Sequence, residues 1–565
     1  MKARFSDNKE VDQMLNRVVH CITDLTEKQV MHIQRLTQIG LALSSETDLQ
    51  KTFDMILEEA IDFTNADAAT IYRVSEDGMA LEFEIVYNRS LGLRMGGTHE
   101  PVNWRPVLLF DESGNPRVNH IVSNVYHTKQ SLCFEDVYKT TEYDISGTIA
   151  TDRANNYRCK SILTIPLKNH EDEVLGVIQV INALDKRKRI ISFSEEHKSM
   201  LTSLASQAAI ALSNRKLIQS LETLLMQFMR SIALGIERKS KYSSDHIQRV
   251  ATLTDMIAQR MNDDEEGQFR GFRFTDPELK ELSMAGWMHD VGKIITPEFV
   301  MDKSTKLETI FDRIDLVKTR FEMMQLSLEL LQKDVSGEDF DAFIHSHFPA
   351  GIDKTNVYAY LQESLAFVER VNIGGEFLPD SDLRRLDEIH SIRFEYKGIP
   401  MFLIQEEEKI NLQIRRGTLT QTEIKQMSAH VTVTWEMLSQ LSFPKKYKNV
   451  AFYASTHHEK LNGKGYPWGL TAEKLPIQSR IIAVADIFEA LTSADRPYKK
   501  PKTLSESLKI MAFCVKDGDL DASLLDFLLD SGLYLEFAKR FMHQDYIDEV
   551  NIPALKKLYH PEMNT

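Results

Sequence analysis

Apolar side chains recur every three or four residues from 8 to 45, at Leu15, Val18, Ile22, Leu25, Leu36, Ile39 and Leu43. That spacing predicts one amphipathic helix, because side chains three and four apart share a face of the helical turn. Gln29 and His32 interrupt the seam, so it suits a face packed on its own domain or a parallel contact with a second copy. From 46 to 195 the pattern changes. The stretches 68–74, 81–87, 161–167 and 174–182 alternate or run apolar, as paired strands do, around a turn-rich middle from about 98 to 155. A continuous helix is predicted over 196–240. Its seam of Leu201, Leu204, Ala208 and Ala211 gives way to one of Leu221, Leu225, Phe228 and Ile232, with the register changing near Ile218.

Beyond 240 the helical period continues. Thr275 or Asp276 caps a helix with Pro277 at its first position, and Leu279, Leu282, Ala285 and Met288 form its apolar face. This helix delivers His289 and Asp290. Residues 307–331 and 356–371 read as helices between loops. Thr420 and Glu423 form a capping box for a helix that carries His430. Composition narrows the class: 42% hydrophobic and 27% charged residues are ordinary for a globular protein. A formal charge of −15 argues against non-specific nucleic-acid binding, and requires that an anionic substrate be drawn by a local positive site. Four cysteines, Cys21, Cys133, Cys159 and Cys514, are scattered without a Cys-x-x-Cys pair and read as reduced, buried thiols. The first residues lack the apolar core of a signal peptide, and no apolar run is long enough to span a bilayer; the expectation is a cytoplasmic protein without membrane contact.

The chemistry concentrates at His457-His458-Glu459, followed by a turn through Gly463 and Gly465 to Tyr466-Pro467. Further candidate ligands are His246, the His289-Asp290 pair, His430 and Asp486. In this order, with the Asp495-Arg496-Pro497-Tyr498-Lys499 segment after them, the residues resemble an HD-GYP domain, the phosphohydrolase family that cleaves cyclic di-GMP. The resemblance implies two divalent ions, iron first and manganese as the alternative. One would take His246, His289 and Asp486, the other His430, His457 and His458, with Asp290 between them. Tyr242 stands where some members supply a ligand for a third ion. Asp290 and Lys293 would act at the scissile phosphate, with Lys293, Arg496 and Lys499 on substrate phosphates. Gly463, Gly465, Tyr466 and Pro467 would form the wall against guanine or sugar. Glu459 reads as a residue that orients a histidine. Asn462, Glu489 and Ala494 depart from the family pattern. A larger departure is the stretch of about 303–414 between Asp290 and His430, which reads as an insertion; its His345, His347 and His390 match no family ligand.

The region upstream resembles a GAF domain, a small-ligand sensor with a central antiparallel sheet. Asn182 and Phe193 match positions that recur in cyclic-nucleotide-binding members, whereas Ala183 and His197-Lys198 do not. The expected architecture is therefore multidomain: a helix (1–45), an α+β GAF-like sensor (46–195), a linker helix (196–235), an all-α domain (236–535) with the insertion, and a C-terminal extension (536–565). The expected activity is metal-dependent hydrolysis of cyclic di-GMP to pGpG or GMP under control of the sensor, in a homodimer formed through the N-terminal and linker helices. The alternatives are a catalytically silent receptor and a phosphodiesterase for another cyclic dinucleotide. The sensor's ligand is an unknown small molecule, or none.

Overall fold

A computed structural model describes residues 9–46, 48–240, 245–375, 377–396, 399–493 and 501–560. The chain divides into two compact units, Met1–Thr223 and Leu224–Thr565. In the first, α1 (Lys9–Ser45) buries Ile39 and Leu43, while Leu15, Val18 and Ile22 are exposed. The sequence reading has no counterpart to α2 (Leu49–Thr64). Asp48 caps it by accepting from the amides of Gln50 and Lys51, and Phe53, Ile56, Leu57, Ala60 and Ile61 form its buried face.

Eight antiparallel strands follow: β1 (Ala66–Val74), β2 (Ala80–Asn88), β3 (Leu93–Gly96), β4 (Val107–Leu108), β5 (Leu132–Phe134), β6 (Ile162–Lys168), β7 (Val174–Leu184) and β8 (Ile190–Ile191). They run in the order β3-β2-β1-β7-β6-β5, with β4 on β2 and β8 on β7. The middle is not merely turns. It contains α3 (Ile121–Thr128), whose Ile121, Val122 and Val125 fall on one helical face and are buried, and α4 (Ser146–Ala154). A cavity of about 960 Å³ lies within this unit, with Tyr72, Phe83, Trp104, Arg117 and Tyr157 in its wall. The expectation of buried thiols is corrected: Cys159 is buried, Cys514 partly so, and Cys21 and Cys133 are exposed. On β5, Cys133 alternates with the partly buried Leu132 and Phe134 and takes the opposite, open face of the strand.

The helix α5 (Glu195–Glu237) buries Leu201, Leu204 and Ala208 in the first unit; Met229, Ala233 and Ile236 are buried in the second. The second unit continues with α6 (His246–Asn262), α7 (Asp276–Met288) and a short α8 (Glu298–Met301). The stretch expected to be an insertion folds around a hydrophobic cluster of its own, including Val317, Phe321, Phe340, Phe367, Leu386 and Leu403. It is richer than its predicted two helices: α9 (Ile314–Asp334), α10 (Gly337–His347), α11 (Val357–Asn372), α12 (Asp380–Ser391), a hairpin of β9 (Arg393–Tyr396) and β10 (Ile399–Phe402), and α13 (Glu406–Leu412). Its two ends meet at buried lysines. Lys303 Nζ donates to Glu423 at 2.8 Å and to Asn411 at 3.0 Å, and Lys306 Nζ donates to the Leu412 carbonyl at 3.0 Å.

The chain then returns through α14 (Gln421–Ser439), α15 (Val450–Ala454), α16 (Ile477–Thr492), α17 (Leu504–Lys516), α18 (Ala522–Asp530), α19 (Leu533–Phe541) and α20 (Ile552–Lys556). The expected boundary at 535/536 is corrected, since it cuts α19. Phe537, Ala538, Leu555 and Tyr559 are buried in the same core as α6, α7 and α16, so the C-terminal stretch completes the helical domain. Among the described residues, no helix is long and apolar enough to cross a membrane.

Candidate metal centre

Each candidate ligand is delivered by a helix or by the turn just after one. His246 opens α6. At the start of α7, Thr275 and Glu278 form a capping box with Pro277 behind the cap; at its end, His289 and Asp290 follow Met288. His430 is in the middle of α14, Asp486 in α16, and His457 and His458 lie three and four residues past the end of α15. The histidine pair thus lies in the turn beyond that short helix.

These elements bring together His430, His457 and His458 in one group, and His246, His289 and Asp486 in another. In each, one ligand atom per residue lies within 4.8 Å of the others, as befits a site that could hold a metal ion. Asp290 faces both. Its Oδ2 lies 3.3 Å from His246 Nε2 and 3.3 Å from His289 Nε2, and its Oδ1 lies 3.3 Å from His430 Nε2. Lys293 Nζ is 2.6 Å from Asp290 Oδ2.

The rings are fixed from behind. His289 Nδ1 bonds the Gly286 carbonyl at 2.8 Å, His430 Nδ1 that of Met427 at 2.6 Å, and His457 Nδ1 that of Ala454 at 2.6 Å. A carbonyl only accepts, so each Nδ1 carries the proton and each Nε2 presents a lone pair. All three Nε2 atoms are buried without a hydrogen-bond partner. A buried polar atom left unsatisfied is costly, and three converging on one carboxylate fit a cation. Histidine nitrogen with carboxylate oxygen and no thiolate suits first-row divalent ions.

Electrostatics keep His430, His457 and His458 neutral. Burial, reinforced by the neighbouring His458 and His289, holds His457 far below the usual imidazole range. Burial and His430 bring His458 down to about 3, and burial lowers His430. His246 differs. Burial disfavours its charge, but the Glu489 carboxylate and the bonds to Asp290 and Glu489 outweigh that and raise it to about 10. For Asp290, burial works against ionisation, yet the Lys293 ammonium and the bond from His246 hold the carboxyl well below its ordinary range.

The supporting residues change one expectation. Glu459 does not orient a histidine. Its carboxylate accepts from the backbone amides of Trp468 at 2.7 Å, Gly469 at 3.1 Å and Leu470 at 2.9 Å, and so pins the loop that contains Tyr466-Pro467. The orienting carboxylate is Glu489, which bonds His246 Nδ1 and accepts from Arg249 Nε at 2.5 Å. The sequence signal was the helical spacing from Asp486 to Glu489, one turn apart on α16. Asn462 also finds a reason: its amide nitrogen donates to the Asp517 carbonyl and to Asp519 Oδ1, both at 2.9 Å, where a carboxylate would face two acceptors.

Gly463 takes φ +74°. At Gly465 a Cβ would lie 2.4 Å from the Lys460 nitrogen, so this glycine permits a close approach of the loop to its own backbone. Tyr466 packs its ring on His458 at 4.9 Å, and Pro467 follows through a cis bond. Gly292 and Thr434 lock α14 to the His289-Asp290 turn. Thr434 Oγ1 accepts from Gly292 at 3.0 Å and donates to the His289 carbonyl at 3.1 Å, and a Cβ on Gly292 would lie 1.9 Å from the His430 carbonyl oxygen. Arg496, Lys499 and Tyr242 lie outside the described residues.

Comparison with known proteins matches residues 48–212 to the GAF domain model and residues 407–524 to an HD domain model. The chain carries a GAF domain followed by an HD domain. The matched HD stretch contains His430, His457, His458 and Asp486, and begins after the His289-Asp290 pair. Among its relatives, the cyclic di-GMP phosphodiesterase response regulator RpfG of Xanthomonas campestris pv. campestris is 37% identical over 124 residues, 22% of this chain and 32% of that protein. The 3'3'-cGAMP-specific phosphodiesterase 3 of Vibrio cholerae is 41% identical over 95 residues, 17% of this chain and 20% of that protein. A cyclic di-GMP phosphodiesterase of Thermotoga maritima is 42% identical over 96 residues, 17% of this chain and 26% of that protein. The chain thus spans between a fifth and a third of the length of these relatives.

Proposed function

We propose that the HD domain is a binuclear-metal phosphodiesterase that hydrolyses a cyclic dinucleotide, cyclic di-GMP in the first instance, to pGpG and GMP, under control of the GAF domain. The observation that carries this reading is the single carboxylate, Asp290, facing two groups of metal-competent side chains through its two oxygens. His246, His289 and Asp486 would hold one ion, and His430, His457 and His458 the other, iron in preference to manganese. Bound there, two divalent ions supply Lewis acidity and neutralise the charge gathering on a phosphodiester under attack.

The chain's own groups divide the remaining work. Lys293, half-buried beside Asp290, binds a phosphate oxygen, with Arg496 and Lys499 as further phosphate contacts. Tyr466 and Pro467, on the loop through Gly463 and Gly465, bound the pocket for base or sugar; Glu459 holds that loop, and Glu489 with Arg249 holds His246. Because His246 is charged at neutral pH without metal, loading must release its proton, and uptake should strengthen as pH rises. Self-association through α1 and α5 belongs to the same proposal.

The similarity to relatives named 3'3'-cGAMP-specific phosphodiesterases supports a second reading in which the preferred substrate is the hybrid dinucleotide. Chromatography of products tests both. Full-length protein loaded with Fe(II) or Mn(II) without oxygen is incubated with cyclic di-GMP or 3'3'-cGAMP, beside a metal-stripped control. Metal-dependent release of linear products from cyclic di-GMP is expected; release only from the hybrid favours the second reading. Binding without cleavage of either would replace the enzyme with a receptor.

A further inference from the structure

The last turn of α5 ends in polar anchors on both sides of the candidate centre. Glu237 is 6% exposed, and its Oε1 accepts from the backbone amide of Ile247 at 2.7 Å. Ile247 lies in the first turn of α6, next to His246. First-turn amides have no acceptor within their own helix and are ordinarily met by the side chain of the capping residue. Here the capping residue, Asp245, sits at φ +66° and its side chain makes no such bond. The cap therefore comes from another helix. Two residues on, Lys239 Nζ donates to the carbonyls of Ile294 at 2.6 Å and Thr296 at 2.7 Å, in the turn that leaves His289-Asp290. Ser240 Oγ donates to Asp302 Oδ1 at 2.5 Å, farther along the same segment. Behind these anchors, Met229, Ala233 and Ile236 are buried, so the end of α5 is seated in the domain rather than hanging from it.

One helix end thus grips both segments whose side chains meet when His246 Nε2 lies 3.3 Å from Asp290 Oδ2. The same helix buries Leu201 and Leu204 in the core of the GAF domain. We propose that Glu237 and Lys239 are the positioning residues that set the spacing of His246 and Asp290, so that displacement of α5 changes metal occupancy at the His246, His289 and Asp486 position and leaves the His430, His457 and His458 position loaded. Neither residue is among the proposed ligands; each acts through backbone it holds. The inference rests on the metal-centre reading and adds to it a route by which the linker helix reaches only one of the two positions.

The test is metal stoichiometry in the full chain. Wild type, Glu237→Ala, Glu237→Gln and Lys239→Met are titrated with Mn(II), bound metal is counted by mass spectrometry, and folding is followed by circular dichroism. Wild type should bind two ions. Glu237→Ala should keep one and bind the second about 10- to 100-fold more weakly, the range for outer-shell supports of metal ligands. Glu237→Gln keeps an acceptor oxygen and should restore the second ion. Lys239→Met, at a half-buried site, should weaken the same ion and carries the test if Glu237→Ala does not fold. Two ions bound by Glu237→Ala or Lys239→Met with wild-type affinity would overturn the inference alone, as would loss of both ions in step from a folded variant. A wild-type chain that takes up no manganese would overturn the metal-centre reading, and this inference with it.

Discussion

His457 at the candidate centre and His390 in the insertion make the same first contact. Each bonds a backbone carbonyl through Nδ1, to Ala454 at 2.6 Å and to Ile404 at 2.8 Å. His345 and His347 do likewise, with Asp341 and Phe343. A locked Nδ1 therefore does not distinguish a candidate ligand from an ordinary histidine. The other nitrogen does. In the insertion, His390 Nε2 pairs with Glu406 at 3.0 Å, His345 is exposed and His347 stacks on Phe343. At the centre, His289, His430 and His457 present buried Nε2 atoms without partners, gathered around one carboxylate. Two helical regions of one domain thus use the same residue for opposite ends: one closes its polar groups locally, the other leaves them open toward a shared point.

The contrast is broken most severely at Asp290. Asp290→Ala removes the carboxylate common to both groups, so both ions should be lost and turnover should fall by about 10³-fold or more. Metal counting and product chromatography on the same preparation check this. The insertion offers the next largest effect, on stability. Lys303→Met leaves Glu423 in a mostly buried setting without its partner, since the lysine side chain is fully covered and the glutamate 13% exposed. Removal of one partner of a buried pair costs about 3–5 kcal/mol, and urea unfolding should register a loss near the lower end. Glu489→Gln sharpens the comparison within the centre. It keeps the size of the group behind His246 but removes the charge, and should weaken one metal by about 10- to 100-fold in a binding titration. His347→Ala should do least: less than about 0.5 kcal/mol in unfolding and no change in metal content. A metal lost with His347 would erase the distinction between the two regions.

What was legible in the sequence follows from the same physics. The ligand candidates could be read because each is a strong chemical signal placed at a helix end or on a helix face, where spacing and caps are local properties. Thr275, Pro277, Thr420 and Glu423 announce their helices within a turn, and the structure has both capping boxes. The strands of the GAF domain were readable by alternation. Roles decided by contacts distant in sequence were not. Glu489 meets His246 across more than two hundred residues, and Glu459 turned out to serve a loop rather than a ring. The insertion's fold was largely hidden for the same reason, its two ends being joined by Lys303 and Lys306 to residues past α12. By contrast α2 carries local signals, Asp48 at its cap and the helical spacing of Phe53, Ile56, Leu57 and Ala60.

The most direct test of the central claim is a crystal structure of the Mn(II)-loaded full chain with anomalous scattering recorded for manganese. The account predicts two peaks roughly 3.5–4 Å apart, one against His246, His289 and Asp486, the other against His430, His457 and His458, with one oxygen of Asp290 toward each. A single peak, or two peaks that Asp290 does not join, would contradict it.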